Sequence, residues 1–428
     1  MADAREVAYD ITRRVNSEGA YLSLALRYGM DRRSLDARDR ALVTELSYGV
    51  QRHRGRMDFV IAAFSRRPPG ELDPGVLDVL RLGMYQLTDM RIPQHAAVNE
   101  SVSLARRLLG RGAASYVNAV MRSACRDMDR LSWPSREEFP SFLETLYSHP
   151  RWLVEYLLCL LGPEAAEDLC AANNAVPDLA LRVNPAKGDA TALQRDIAAL
   201  GGKAELSPCL GEALTGVSLP YDLLLALLEA GRCVVQDEAS MLVSYALHPE
   251  PGDVLIDACA APGGKATHLA ALGGENCRVI AFDANERRLE AMRSSVRRLG
   301  LSNIDIRLGD SRHLGENVDE EADGVLVDAP CSGLGTLRRV PELKWRRQPG
   351  DLAGLAKLQL DLLLGGAAMV RPGGALVYSV CTLTEEETTE VARRFLCTYD
   401  RFRLAGQIQI WPHIHNMEGM FIARFERV

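Results

Sequence analysis

A chain of 428 residues, 47% hydrophobic and 25% charged, is too long for one ordinary core and too apolar to be mostly disordered, so two or three domains are expected. Its net charge of −7 argues against a uniformly basic nucleic-acid binder, but the average conceals an asymmetry. Residues 1–130 carry 21 arginines, no lysine and 16 acids, a net of +5, while the remainder carries −12. Such a front end can meet phosphates, or it can be a solvated arginine-rich helical surface; charge alone leaves both open.

The first ~130 residues read as helices. Apolar residues recur at three- and four-residue spacing in Val7, Ile11, Val15 and in Leu42, Leu46, Val50. Breaks fall at Arg67-Pro68-Pro69-Gly70 and Arg91-Ile92-Pro93, and the pattern lapses near Ser132-Trp133-Pro134-Ser135. A helical domain over 1–132 is expected. A second section, 145–235, mixes helices with short strands: Leu179 to Pro185 alternates like a strand, and Thr191 to Gly202 is an amphipathic helix closed by glycine. It suits a small α+β domain of the kind that holds RNA.

From 236 to 428, strands and helices alternate. Residues 254–258, 278–283, 304–310, 323–330 and 375–380 are short, nearly continuous apolar runs. Helices fall between them, as in Glu286 to Leu299 before Gly300. Buried parallel strands with helical crossovers imply a doubly wound, Rossmann-like α/β sheet, which binds ligands at the carboxyl ends of its strands. Asp257, Asp283, Asp310, Asp328, Cys331 and Cys381 are expected there.

The ten cysteines show no CxxC and no Cys/His cluster at metal spacing, so neither a zinc site nor a disulfide framework is expected. Free thiols suit a reducing cytoplasm. The N-terminal MADAREVAYD lacks an apolar signal core, and no apolar run approaches ~20 residues, so no membrane segment is expected.

In Asp257 to Lys265 (DACAAPGGK) a strand breaks into a glycine-rich turn that opens a helix, which lets the backbone approach a ligand closely. Asp283, at the end of the next strand, can accept both hydroxyls of a ribose, and Asp310 can bond an adenine amino group or cap a helix. Neither G-x-G-x-x-G nor G-x-x-x-x-G-K-[ST] is present, which disfavours dinucleotides and ATP. A nucleoside without phosphates, S-adenosyl-L-methionine (SAM), fits better; another nucleotide binder stays open on the loop alone.

Cys331 (in VDAPCSG) and Cys381 (in VYSVCTL) then face that loop. Carbon 5 of cytosine is a poor nucleophile until a thiolate adds at carbon 6, and a base must later remove the carbon-5 proton. Two thiols, with Asp328 to hold the polar edge of the ring, suit that reaction. Cys259 lies inside the loop, where its backbone matters more than its sulfur; the other seven cysteines read as packing. Leu337 to Arg347 (LRRVPELKWRR) interleaves five basic residues with Trp345, either to hold phosphates and stack a base or as an ordinary solvated loop.

Together, VVQDEASML, DACAAPGGK, AFDANERRL, VDAPCSGLGTLRR, PELKWR and YSVCT, in that order, resemble the Sun-type (NSUN, RsmB-like) RNA cytosine-5 methyltransferases over residues 150–428. The front part resembles the NusB-like helical domain through Leu80 to Leu87, Arg91 to Arg106 and Tyr116 to Arg122. The resemblance implies SAM-dependent methylation of a cytidine in small-subunit ribosomal RNA by a cytoplasmic monomer without a metal. It assigns Cys381 as nucleophile and Cys331 to product release, as the base, where DNA enzymes use the Pro-Cys cysteine as nucleophile instead. It places SAM on Cys259, Ala260, Ala261, Pro262, Gly263, Gly264, Lys265, Asp283, Arg288, Asp310 and Asp328. Glu418 and Met420 depart from the family's usual aspartate-glycine-phenylalanine-phenylalanine near the C-terminus. The alternatives are the same chemistry on another RNA such as tRNA, a non-catalytic RNA-binding factor, and a nucleotide-dependent dehydrogenase.

Overall fold

The computed structural model describes every residue except Met1, Ala2, Arg32, Ser34, Asn317 and Asp319. The chain divides into two compact units: residues up to Ala175 with Leu337–Arg347, and Val176–Thr336 with Gln348–Val428.

The first unit is all helical, from Ala4–Ser17 through Arg111–Asp127 to Pro163–Asn174. Its central helix, Pro74–Thr88, starts where Asp73 accepts the N–H groups of Gly75 and Val76 and Pro74 fills the first position. This helix is apolar nearly all round, so it is buried on most faces, with Leu80 and Met84 packed among Val50, Met57, Val117 and Met121. Gly49 lets Tyr85 cross: a Cβ there would stand 2.0 Å from the ring. Much of the arginine excess is spent internally, as in Arg81 on Asp58 at 2.7 Å and Arg33 on Asp10 at 2.7 Å.

Leu337–Arg347 belongs to this helical unit, which corrects both readings of it as an open basic loop. Lys344 is fully buried and donates to Asn174 Oδ1 at 2.6 Å, the Arg52 carbonyl at 3.2 Å and the Ser148 carbonyl at 3.3 Å. Trp345 Nε1 donates to the Gln51 carbonyl at 2.9 Å, and Arg346 to the carbonyls of Val15 and Ala20. Gln51 and Arg52 end the helix Ala37–Arg52, and Val15 lies in the last turn of Ala4–Ser17. Helix ends leave carbonyls without partners, and the basic and indole groups of this segment satisfy them.

The second unit holds two sheets. The smaller is antiparallel: β1 (Leu181–Val183), β2 (Lys203–Leu206), β3 (Ala213–Ser218) and β4 (Cys233–Val235) lie in the order β2-β3-β1-β4, with helices Ala190–Ala199 and Tyr221–Glu229. The larger contains β5 (Val254–Asp257), β6 (Arg278–Asp283), β7 (Ile304–Leu308), β8 (Ala322–Asp328), β9 (Val370–Val380), β10 (Phe402–Ile410) and β11 (Met420–Arg427). Their order is β10-β11-β9-β8-β5-β6-β7, parallel from β9 to β7 and antiparallel at the β10-β11 edge. The expected multidomain architecture with a Rossmann-like sheet is therefore what the chain adopts. Central strands are buried on both faces, which is why they read as continuous apolar runs. The winding reverses between β5 and β8, and the carboxyl ends of these strands open at that switch point.

Candidate functional site

The loop after β5 is built for close backbone approach. Gly263, at φ +106°, caps the helix Gly264–Gly273, and a Cβ there would meet Met292 Cγ at 2.8 Å. The Ala261–Pro262 peptide is cis. Arg288 joins the loop to the next strand, donating to the Ala261 carbonyl and standing 3.3 Å from Asp283 Oδ2. Asp283 is buried at the end of β6. Ser311 Oγ donates to the Ala258 carbonyl, which ties the turn after β7 to the same loop.

Asp257 is fully buried; Oδ1 accepts the Cys259 N–H at 3.3 Å and Oδ2 has no partner. Burial, with the nearby Asp328 carboxylate, pushes its pKa up to about 7. Burial and the carboxylates of Asp257, Asp328 and Asp283 hold the Cys259 thiol far above the usual range, which disfavours its thiolate. Asp310 stands two residues beyond β7 rather than at its end, and is forked by Arg312, whose hydrogen bonds pull its pKa down to about 2.

At the end of β8, Asp328 accepts from Lys265 Nζ through Oδ2 and from Ser379 Oγ through Oδ1, both at 2.7 Å. Burial works against the charge on Lys265, but Asp328, with Cys381 adding to it, raises the ammonium's pKa. Parallel pairing of β8 with β9 sets Asp328 opposite Ser379. It thereby brings the two following segments together, and Cys331 Sγ lies 3.2 Å from Cys381 Sγ. Neither cysteine is in a disulfide. The hydrogen bond to Cys381, with burial, holds the Cys331 thiol well above its ordinary pKa.

Residues 244–426 match the family described as 16S rRNA methyltransferase RsmB/F, residues 2–126 the NusB family, and residues 149–217 the ferredoxin-like domain of RsmF/B-like methyltransferases. The chain is 34% identical, over 99% of its length and 98% of theirs, to a Bacillus subtilis protein named "probable ribosomal RNA small subunit methyltransferase B". The chain belongs to the RsmB/F methyltransferase family. A Vibrio vulnificus protein named "ribosomal RNA small subunit methyltransferase B" is 34% identical over 99% of this chain and 98% of its own. The crystal structure of PH0851 superposes with a TM-score of 0.85 at 27% identity, covering 100% of this chain and 99% of that one.

RsmB/F proteins are SAM-dependent, and these residues fit that donor. The buried, unpartnered Asp257 Oδ2 can take a donor such as an ammonium or hydroxyl, and Gly263 lets the loop turn at φ +106° tight against Met292. Asp283 closes the neighbouring strand, while the Asp310 oxygens are shared with Arg312.

Sequence reading passed over the groups that hold these pieces. Arg182, from β1, is buried and donates to Gln236 Oε1 at 2.7 Å, the Gly264 carbonyl at 2.7 Å and Thr267 Oγ1 at 2.8 Å. Its signal was an arginine in the middle of an otherwise apolar strand run. The seven remaining cysteines divide: Cys170, Cys233 and Cys277 are buried packing and Cys125 is half-buried against the helical core, but Cys159, Cys209 and Cys397 are exposed, where the packing reading does not hold. Among the described residues, no helix is long and apolar enough to cross a membrane, and no three His, Cys, Asp or Glu side chains are grouped as metal ligands.

Proposed function

We propose that this chain methylates carbon 5 of a cytidine in small-subunit (16S) ribosomal RNA through a transient bond between Cys381 and carbon 6 of the base. The observation that carries this reading is the pair of sulfurs 3.2 Å apart beside the Lys265–Asp328 ion pair, at the switch point of a methyltransferase sheet. SAM, when bound along Cys259–Lys265, Asp283 and Asp310, supplies an electrophilic methyl group on a sulfonium.

On this reading Cys331 donates to the Cys381 sulfur, which is the acceptor and the nucleophile; at 3.2 Å either sulfur can be the donor. Cys381, its proton released to solvent, bonds through sulfur to carbon 6, and the electron pair of the 5,6 double bond becomes available at carbon 5, which takes the methyl group. Asp328, fixed by Lys265 and Ser379, holds the amino and ring-nitrogen edge of the base. Once the Cys381 sulfur is bonded to carbon it no longer carries charge, and one cause of the raised Cys331 pKa disappears. With that cause gone Cys331 gives up its own proton to solvent; as a thiolate it takes the carbon-5 proton, the double bond re-forms, and the carbon–sulfur bond breaks with its electrons returning to Cys381. The target base must be unpaired or extruded to expose its ring face. The helical and ferredoxin-like modules would hold the surrounding RNA.

The test is methyl transfer from tritiated SAM to unmodified 16S RNA, with mapping of the labelled base. Cys331→Ala accumulates a covalent protein–RNA adduct and Cys381→Ala forms none; the reverse pattern swaps the two roles. Label in tRNA alone moves the substrate, and absence of label from any RNA favours a non-catalytic RNA-binding factor.

A further inference from the structure

Behind the two sulfurs the chain buries a carboxyl group that the proposed chemistry does not use. Glu387 is fully buried in the helical turn Glu385–Glu387. Its Oε1 accepts the Ser332 N–H at 2.8 Å and Gln359 Nε2 at 2.9 Å; its Oε2 accepts Thr384 Oγ1 at 2.8 Å and Thr382 Oγ1 at 3.2 Å. Ser332 follows Cys331 in the chain and Thr382 follows Cys381, and their hydroxyls meet at 2.7 Å. Gln359 Nε2 also donates to the Pro330 carbonyl at 3.0 Å, so the segment is gripped on both sides of Cys331. Tyr378 OH donates to the Glu387 carbonyl at 2.6 Å and to Gln359 Oε1 at 3.2 Å, which anchors the assembly on β9.

None of the four donors is a cation. Burying a carboxyl group on neutral donors costs more than burying an apolar side chain of the same size, so its position has to yield something else. What it touches is the residue after each cysteine. Both cysteines lie beyond the ends of their strands, where the sheet ladder no longer fixes the last ångström, and a misplacement of about 1 Å can slow a reaction on the order of 100-fold.

We propose that Glu387 is a positioning residue for this reaction: it clamps the Cys331 and Cys381 segments so that their sulfurs stay within proton-transfer reach of each other and of one pyrimidine. This role rests on the cytosine-5 reading, but the clamp itself can be measured without catalysis. Diamide joins two close thiols by taking two electrons and two protons from them as the S–S bond forms, and the rate reports how well the sulfurs are held together. In full-length Glu387→Ala, linkage of Cys331 to Cys381 (followed by peptide mapping) and single-turnover methyl transfer both slow by about 10- to 100-fold. SAM affinity stays within about threefold, because the clamp lies outside the donor loop. Glu387→Gln restores much of both rates, since its amide oxygen can take the Ser332 N–H while its NH2 group donates to the threonine hydroxyls.

Wild-type linkage and transfer rates in a folded Glu387→Ala would overturn the proposal, as would loss of SAM affinity in step with activity. Should Glu387→Ala not fold, Thr384→Val decides: it removes one donor, and slower linkage with unchanged SAM affinity supports the clamp, while wild-type rates refute it. A wild-type protein that methylates no cytidine overturns the parent reading and this catalytic role with it, which the linkage rate alone would not.

Discussion

Two buried lysines titrate in opposite directions. Lys344, in the helical unit, meets only neutral oxygens, and burial drives its pKa down to about 7. Lys265, in the catalytic unit, has 13% of its side chain exposed and sits 2.7 Å from Asp328, and its pKa is raised. Carbonyl dipoles satisfy the hydrogens of an ammonium, but only an opposite charge at contact distance offsets the loss of water around it. The first lysine joins helix ends; the second keeps a carboxylate aimed and a cation beside a thiol.

The largest effect comes from removing the charge that distinguishes them. Asp328→Asn keeps the shape but leaves Lys265 in a Lys344-like setting, with its pKa falling as burial takes over. Methyl transfer then drops on the order of 100- to 1,000-fold, the scale of losing a charged group aimed at the reacting ring. Initial rates with tritiated SAM check this, and a change of only a few-fold would dismiss Asp328 from the site. Next in size is Lys344→Ala, which strands three acceptor oxygens and opens a hole. It should lower the stability of the helical unit by about 2–4 kcal/mol in denaturant unfolding, with the melted fraction seen first in the NusB-like helices.

The difference between these lysines also marks what the sequence could tell. Lys265 stands in a glycine-rich strand-to-helix turn, a local pattern whose geometry follows from its own residues, and the helix Glu286–Leu299 ends at Gly300 with φ +74° for the same local reason. Leu337–Arg347 reads identically whether its basic heads meet phosphates or the carbonyls of helices 292 and 331 positions away in sequence, at Arg52 and Val15. Glu387 sits in the acidic run TEEETTE, which resembles any solvated face until the Ser332 and Thr382 segments close over it. β10 went unread because its middle residues, from Arg403 to Ile408, are exposed; it is an edge strand with little apolar alternation.

A smaller effect sharpens the comparison by giving Lys344 what Lys265 has. Below about pH 7 Lys344 is protonated in both folded and unfolded chains, and its burial is fully opposed. Between pH 7 and the ordinary lysine value the unfolded chain holds a proton that the folded one does not, so this site's contribution to stability rises with pH. Asn174→Asp places a carboxylate at the contact now 2.6 Å long and should lift the folded pKa, flattening that rise by up to about 1.4 kcal/mol per pH unit. The substitution also loses the Asn174 donation to the Tyr147 carbonyl, a loss that is constant over this range, so the slope isolates the charge. An unchanged slope would mean that Lys344 does not titrate there.

The smallest effect is expected where the same ion-pair chemistry lies in water. Arg312 forks Asp310 at 3.0 Å, a geometry as good as that of Lys265 on Asp328, and holds its pKa near 2. Yet both side chains are close to half exposed. A depressed carboxylate pKa gives stability that is present above the unfolded value near 3.8 and fades as pH falls toward 2, so at neutral pH it is fully in place. Solvent and salt screen it there, and Arg312→Ala should leave the melting temperature within about 1 °C. If Asp310 bonds the donor's adenine, the same substitution frees both its oxygens, and SAM binding by calorimetry should tighten or stay level within about threefold. A large loss of affinity would instead place Arg312, not Asp310, on the nucleoside. Contact distance alone therefore does not rank these three charged sites; the water left around each does.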